Sequence, residues 1–361
     1  MMTPQRTALH LLSNRWNSAI TEYALSAAMA LKGQGWRCVF SPLGDSPAES
    51  RSVGLGLETK SVPRYSAGGV LEVSKLLQDV KPDVIMTYGG PETLLARIGR
   101  RLNPGVKVVR FRGHEVPEGQ LFFKERHRLS HSHCDLIVTP ASFLTEILRP
   151  ASTCPVETVT LGVDAEKYRC RDFDVSRSRD VVILGRLDPV KGHKEFMKTF
   201  ATILRAWSEP SWRPRLHIIG EPANLSVLHL QQSAAEAGLR LESELKISPV
   251  RVANISEILS TAVAGVVSSI GSEIICRVAE EFLMCGTPIA VSGAGSLNEV
   301  LAEPGFGISW SGWSDSQTAE TLDGFFKSSF GEAPATRKLR ADQARRHFSY
   351  EAMGQRLISL I

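Results

Sequence analysis

The six cysteines of this 361-residue chain (Cys38, Cys134, Cys154, Cys170, Cys276 and Cys285) form no C-x-x-C pair. That scatter excludes the usual zinc and dithiol signatures and fits small hydrophobes in a reducing cytosol. No apolar run is long enough to cross a bilayer. Met1 to Arg15 carries only a short apolar patch, Ala8–Leu12, which reads as a first strand rather than a signal peptide. There is no G-x-x-x-x-G-K-S/T. Gly33/Gly35 and Gly54/Gly56 each lack the third glycine of a dinucleotide loop, so the NTPase and dehydrogenase readings lose their usual support. Charge of one sign is also lacking. With 42 basic and 38 acidic residues the net charge is +4, too mild for a nucleic-acid protein.

What is present is a soluble composition, 43% hydrophobic and 22% charged, on a chain too long for one ordinary core. Short apolar runs alternate with helical stretches. Strands are expected at Ala8–Leu12, Arg37–Phe40, Pro82–Thr87, Val106–Phe111 and Leu136–Thr139. Helices are expected at Thr21–Lys32, Leu71–Asp79, Glu92–Arg101, Phe122–Ser132 and Ser142–Leu148, and Ser41 to Pro47 reads as a loop. From Asp164 to Asp180 the chain is polar, like a linker. Strands then recur at Val181–Leu184, Leu216–Ile219, Leu245–Ile247, Ala264–Val267 and Pro288–Val291, with helices between. The pattern is two doubly wound α/β domains in tandem, with parallel sheets covered on both faces. Ligands in such sheets bind at the carboxyl ends of strands, so the loops there are searched first.

Two loops stand out. Gly185-Arg186-Leu187-Asp188-Pro189-Val190-Lys191-Gly192 follows an apolar strand and precedes a helix. Its Arg offers a planar fork and its Lys a compact charge, a pair suited to a diphosphate; an ordinary basic surface loop is the bland alternative. Ser268 to Glu273 is followed by an apolar stretch ending at Cys285-Gly286-Thr287-Pro288. Ser272 and Glu273 suit a helix N-terminus, and Gly286 suits its end, so backbone N–H groups near Gly271, Ser272 and Ile274 predict a phosphate seat. On one continuous helix, Glu273 and Glu281 would lie about 12 Å apart along the axis. That exceeds the roughly 5–9.5 Å of a glycosidase carboxylate pair and fits two grips on one elongated ligand instead.

The joint pattern resembles family 4 of the retaining glycosyltransferases, whose members show G-R-L-x-x-x-K-G and later S-x-x-E-x7-E-x4-G-x-P with a glycine turn and a final Glu. Here these are Gly185–Gly192, then Ser269, Ser272, Glu273, Glu281, Gly286, Pro288, Gly293, Gly295 and Glu299. The five-residue distance to Gly286 selects Glu281 over Glu280. Weaker matches at Lys81–Val84, Leu161–Asp164 and Phe348–Tyr350 extend the likeness over most of the chain. The resemblance implies a GT-B fold, with two Rossmann-like domains facing across a cleft. It implies an acceptor-side domain over residues 1–164, a donor domain over 165–346, and a last helix, 347–361, crossing back onto the first. It further implies a nucleotide-sugar donor with no cofactor and no metal. Arg186 and Lys191 would hold the diphosphate, Glu273 the sugar hydroxyls and Glu281 the ribose, with the base near Val250, Arg251 and Val252. The acceptor would be a glycan, a lipid-linked molecule or a small molecule.

The chain departs from the family pattern in three places. The glycine pair after the first strand is replaced by Trp16-Asn17-Ser18, where Asn17 and Ser18 are the expected acceptor-side substitutes. Ile274-Ile275-Cys276 replaces Gly-Phe-Gly and is expected to crowd the donor loop. The family's strand-end His corresponds to His114 or, one register off, to Arg112 in Arg112-Gly113-His114-Glu115. His127, His131 and His133 near Cys134 read as a solvated basic face rather than a metal site. Arg97, Arg100, Arg101, Lys107 and Arg110 form a basic cluster that fits either a solvated face or peripheral contact with anionic lipid. Two further functions stay open: a nucleotide-sugar epimerase on the same fold, and a non-catalytic nucleotide or glycan binder.

Overall fold

The structure is a computed structural model that describes residues 5–114, 134–171, 178–250, 252–271, 273–311 and 315–361. Within these the chain forms two compact units, one running to Gly162 and including His347–Ile361, the other Val163–Arg346.

The first unit is a parallel sheet of β1 (Thr7–Leu12), β2 (Arg37–Pro42), β3 (Glu58–Thr59), β4 (Val84–Thr87), β5 (Lys107–Phe111), β6 (Leu136–Thr139) and β7 (Val156–Thr158), in the order β3-β2-β1-β4-β5-β6-β7. β1 is buried along its whole length, as an apolar run sandwiched between helix layers must be. Its register sets Leu9 beside Val39 on one side and Ile85 on the other. Helices α1 (Ala19–Gly33), α2 (Pro47–Gly54), α3 (Val70–Val80), α4 (Gly90–Leu102) and α5 (Ser142–Leu148) connect the strands. The expected loop from Ser41 to Pro47 is shorter than the sequence suggested. β2 continues through Pro42, and Pro47 opens α2, because proline suits a first helical turn. The expected helix Phe122–Ser132 and the histidines at 127, 131 and 133 lie outside the described residues. A last helix, α12 (Tyr350–Leu360), is capped by Ser349 and packs on α1. The Gly354 position lies so close to α1 that a Cβ there would come within 2.7 Å of the Ala30 carbonyl oxygen.

The second unit is a parallel sheet of β8 (Asp180–Leu184), β9 (Arg215–Ile219), β10 (Leu245–Ser248), β11 (Ala264–Val267), β12 (Ile289–Val291) and β13 (Gly307–Ser309), in the order β10-β9-β8-β11-β12-β13. Its helices are α6 (His193–Ala206), α7 (Val227–Ala237), α8 (Ile255–Thr261), α9 (Arg277–Met284), α10 (Asp315–Ser329) and α11 (Pro334–Phe348). Phe200, Leu216, Ile218, Leu230, Val266, Leu322 and Phe326 make one apolar core between the sheet and α6, α7 and α10. Counted from its own first strand the order is 3-2-1-4-5-6, so the sheet reverses direction between β8 and β11. Two connections leave to opposite sides there and open a crevice at the strand ends. The first sheet has the same reversal between β1 and β4.

No helix among the described residues is long and apolar enough to cross a membrane. The basic cluster proposed for lipid contact is not one surface. Arg110 is 4% exposed because it sits within β5, and Arg100 pairs with Asp135.

Candidate functional site

The loop after β8 is built around Asp188. Its carboxylate accepts from the Val190 N–H at 3.1 Å and from Asn224 Nδ2 at 2.8 Å, capping a single 3-10 turn, Pro189–Lys191. That turn ends at Gly192 in the left-handed region, φ 66°. There is no room for a side chain there: a Cβ would stand 2.0 Å from the Ser268 carbonyl oxygen. The close approach lets Ser268 Oγ donate to the Lys191 carbonyl (2.9 Å) and the Ile270 N–H donate to the Val190 carbonyl (2.9 Å). The β8 and β11 loops are thereby stitched together across the reversal point. His193, buried at the start of α6, donates Nε2–H to the Arg186 carbonyl at 2.9 Å. Burial depresses its pKa, so the ring stays neutral and serves as a strut.

This stitching brings Lys191 and Glu273 into direct contact. Lys191 Nζ pairs with Glu273 Oε1, and Ser269 Oγ donates to the same oxygen at 2.5 Å. Glu273 is 6% exposed, while Lys191 is half-buried. Arg186, in the same loop, is exposed, and its guanidinium has no hydrogen bond or ion pair among the described residues.

The helix expected to begin at Ser272–Glu273 begins four residues later. α9 starts at Arg277 with Cys276 in the cap position, and Ser272 lies outside the described residues. The carbonyls that an earlier helical turn would use are engaged elsewhere. The Ser296 N–H and Oγ donate to the Glu273 carbonyl at 2.7 and 3.0 Å, and Ser296 Oγ also approaches the Ile274 carbonyl at 3.0 Å. Gly295, with φ 60°, allows this, since a Cβ there would lie 2.0 Å from the Glu273 carbonyl oxygen. Glu273 thus sits in an extended turn before the helix, and the 12 Å axial spacing from Glu281 does not apply. Ile274, Ile275 and Cys276 are 7%, 8% and 5% exposed, and Cys276 Sγ meets Ser296 Oγ at 3.1 Å. Gly271 has room around it, with nothing nearer to a hypothetical Cβ than Val190 at 3.8 Å.

Glu281, on α9, is 3% exposed and accepts from Arg277 Nε at 2.6 Å, with Tyr168 beside it. Its neighbour Glu280 is also buried, and one of its carboxyl oxygens has no partner among the described residues. Burial first, then the charge of Glu281, pushes the Glu280 carboxyl well above its ordinary 4.5. A raised folded-state pKa means that stability is fully present below about pH 4.5 and is lost as pH climbs through the folded value. Glu280→Gln is therefore expected to match wild type at about pH 4.5 and to melt progressively higher than wild type as pH rises towards about 8. Parallel melting curves across that range would show that Glu280 is not the buried acid responsible.

On the nucleobase side, Val250 is 56% exposed and Val252 half-buried, while Arg251 lies outside the described residues. Ser248, at the end of β10, receives His217 at 2.9 Å, a contact that sequence spacing does not reveal.

In the first unit, Ser18 caps α1 and accepts from Asn14 Nδ2 at 2.6 Å; Asn17 Oδ1 accepts from Arg51 at 2.7 Å. Both side chains already have intramolecular roles. The reversal point of this sheet carries residues that the sequence pattern did not single out. Glu92, 1% exposed, accepts from the Ser13 N–H at 2.6 Å, and burial raises its pKa. His10 Nδ1 meets Tyr88 Oη at 2.8 Å in the same region. Arg112 is half-buried, and desolvation, then the charge of Arg110, lowers its guanidinium to about 10. His114 is exposed. Among the described residues no cluster of three or more His, Cys, Asp or Glu side chains could hold a metal. The cysteines are less scattered in space than in sequence: Cys134 and Cys154 Sγ atoms lie 3.7 Å apart.

The chain superposes on Anabaena HepE in complex with UDP with a TM-score of 0.79, at 16% identity, covering 98% of this chain and 99% of that one. A glycosyltransferase from Rickettsia africae gives a TM-score of 0.79 at 13% identity, covering 99% and 98%. The lipopolysaccharide outer core galactosyltransferase WaaB, in its apo form, gives 0.71 at 13% identity, covering 99% and 100%. A search of curated protein sequences returns no match. These likenesses establish the GT-B fold. Residues 178–317, which include both loops of the Lys191–Glu273 site, match the family described as Glycosyl transferases group 1.

Proposed function

We propose that this protein is a retaining, metal-independent glycosyltransferase that takes a sugar from a nucleotide-sugar donor held by unit 2. The observation that carries the reading is the Lys191–Glu273–Ser269 cluster at the β8/β11 reversal point, with Arg186 exposed in the same loop. A reversal point is where a doubly wound sheet binds nucleotides. There Arg186 and Lys191 take the diphosphate, with the backbone near Gly271, Ser272 and Ile274 as further donors. Two fixed cations stabilise the charge that grows on the leaving diphosphate, which is the task a metal would otherwise perform.

Once Lys191 turns to phosphate, Glu273 is released to accept hydrogen bonds from the transferred sugar, with Ser269 holding its position. Glu281 keeps one oxygen on Arg277 and has a second for the ribose. Val250, Arg251 and Val252 flank the base. In this reading the acceptor attacks from the face the diphosphate leaves, and a phosphate oxygen takes its proton. Asn17 and Ser18 form the acceptor side, for a glycan, lipid-linked or small acceptor in the cytoplasm, and Arg112 and His114 join Glu273 as the catalytic groups. Arg97, Arg101 and Lys107 remain for any peripheral contact with an anionic membrane.

The test is a thermal-shift screen with UDP-, GDP-, ADP- and TDP-sugars, because a ligand that binds only the native state raises its stability. One nucleotide class is expected to raise the melting temperature. Arg186→Ala is expected to weaken that ligand by roughly 10–100-fold, the worth of one charge-assisted contact. It is expected to leave the unliganded melting temperature unchanged, since the side chain is exposed. No shift with any donor, or an identical shift in Arg186→Ala, sinks the assignment. Donor binding with no transfer to any acceptor favours a non-catalytic binder.

A further inference from the structure

Unit 2 holds a concavity of about 720 Å³ that has the Ser268–Ile270 loop in its lining. Its volume is that of a small-molecule site. One wall is apolar. Trp310, just after β13, is half-buried and backed by Phe196 of α6, with ring centroids 5.9 Å apart. Its backbone is fixed by the Trp310 N–H bond to the Val291 carbonyl, 3.0 Å. The rim is polar. Glu195 on α6 and Asp315 at the start of α10 are exposed carboxylates with no ion pair among the described residues. Lys198 is the one cation in the lining among the described residues.

The lining hydroxyls sharpen the choice of ligand. Ser268 donates to the Lys191 carbonyl (2.9 Å), Ser269 to Glu273 (2.5 Å), and Ser292 to the Ser269 carbonyl (2.5 Å). Their protons are committed within the protein, so these three hydroxyls are not available as donors to an anionic ligand. Two exposed carboxylates against one ammonium among the described lining residues, with these hydroxyl protons already engaged, disfavour a phosphate or carboxylate ligand. They favour a ligand rich in O–H donors, and the Trp310 wall favours one with an apolar face as well. A neutral sugar ring has both: axial C–H groups on one face and hydroxyls around its edge.

We infer that this pocket binds a neutral carbohydrate ring, stacked on Trp310 with its hydroxyls donated to Glu195 and Asp315. Because it shares the Ser268–Ile270 wall with the donor site, it holds a sugar unit of the acceptor glycan; that last step rests on the transferase reading, while the binding itself does not.

The experiment is saturation-transfer NMR on the full chain, with methyl α- and β-D-glucosides, galactosides and mannosides as probes, with and without UDP. At least one glycoside is expected to receive saturation at its ring C–H protons. Its affinity is expected to fall roughly tenfold in Trp310→Ala, the worth of one stacked ring. It is expected to fall also in Glu195→Gln and Asp315→Asn, whose exposed positions leave folding intact. Trp310→Phe, which keeps an aromatic face, is expected to retain binding. The UDP-induced thermal shift is expected to be the same in all four variants. The inference is overturned if no glycoside binds, if Trp310→Ala binds as wild type does, or if uridine competes for the same signal. Glycoside binding without any donor-induced shift overturns the transferase reading and leaves the sugar pocket standing; a donor shift without glycoside binding does the reverse.

Discussion

Replacing Lys191 by alanine is expected to lower donor turnover by about 10²–10³-fold, the usual cost of losing one preorganised group that stabilises a leaving anion. The same change removes the partner of a carboxylate that is only 6% exposed. Leaving Glu273 buried and unpaired is expected to cost about 1–3 kcal/mol of stability. The two effects separate by a second substitution. Glu273→Gln placed on top of Lys191→Ala removes the stranded charge, so it is expected to recover part of the stability and none of the turnover. Because the two side chains touch, their effects on folding are expected to be non-additive in a double-mutant cycle. Turnover within about twofold of wild type in Lys191→Ala would remove the central element of the proposed site, given that real losses of such donors are far larger.

The second large effect concerns Gly192. Alanine there faces two obstacles: a backbone at φ 66° and a Cβ placed 2.0 Å from the Ser268 carbonyl oxygen. The left-handed conformation alone costs about 1–2 kcal/mol for a residue with a Cβ. Relief of the clash needs the β8 and β11 loops to part, which breaks the Ser268–Lys191 and Ile270–Val190 hydrogen bonds. A total near 2–4 kcal/mol corresponds to a fall in melting temperature of roughly 5–10 °C for a unit of this size. Donor-induced stabilisation is expected to vanish with it, since Lys191 leaves its register. Gly271→Ala is the control. Its Cβ would meet nothing nearer than 3.8 Å, so calorimetry is expected to show a melting temperature close to wild type. Equal melting temperatures for Gly192→Ala and wild type would mean that the two loops are not held by this contact.

Much of the fold was legible because each strand writes its burial into local composition. Runs such as Val181–Leu184 and Ala264–Val267 are apolar on both faces, and the structure places strands there. Edge elements left weaker marks. β3 is only Glu58–Thr59 and β7 only Val156–Thr158, too short for a periodicity to register. At the proposed site, Arg186, Lys191, Glu273 and Glu281 were named from residue type, spacing and the family pattern. The local conformation around Glu273 was misread, because Ser272-Glu273 has the chemistry of a helix start. What moves that start to Arg277 is Ser296, 23 residues away, whose N–H and hydroxyl take the Glu273 carbonyl. A hydrogen bond between distant residues has no local signature. Glu92 escaped notice for the same reason: its partner, the Ser13 N–H, is 79 positions distant.

By itself, then, the sequence determined the tandem α/β architecture and which charged residues stand in the loops after its strands, since these follow from apolar periodicity and from functional groups at fixed offsets. Only the tertiary structure decided which charges meet. Lys191 and Glu273 are 82 residues apart and touch because Gly192 lets two loops approach to backbone contact. Arg186, five residues earlier in the same loop, is left facing solvent. The pocket beside Trp310 is assembled from α6, α10 and the ends of three strands, so no single stretch of chain contains it. Contacts of this kind depend on how close backbones pass, a quantity set by packing across the whole sheet rather than by any neighbouring residue.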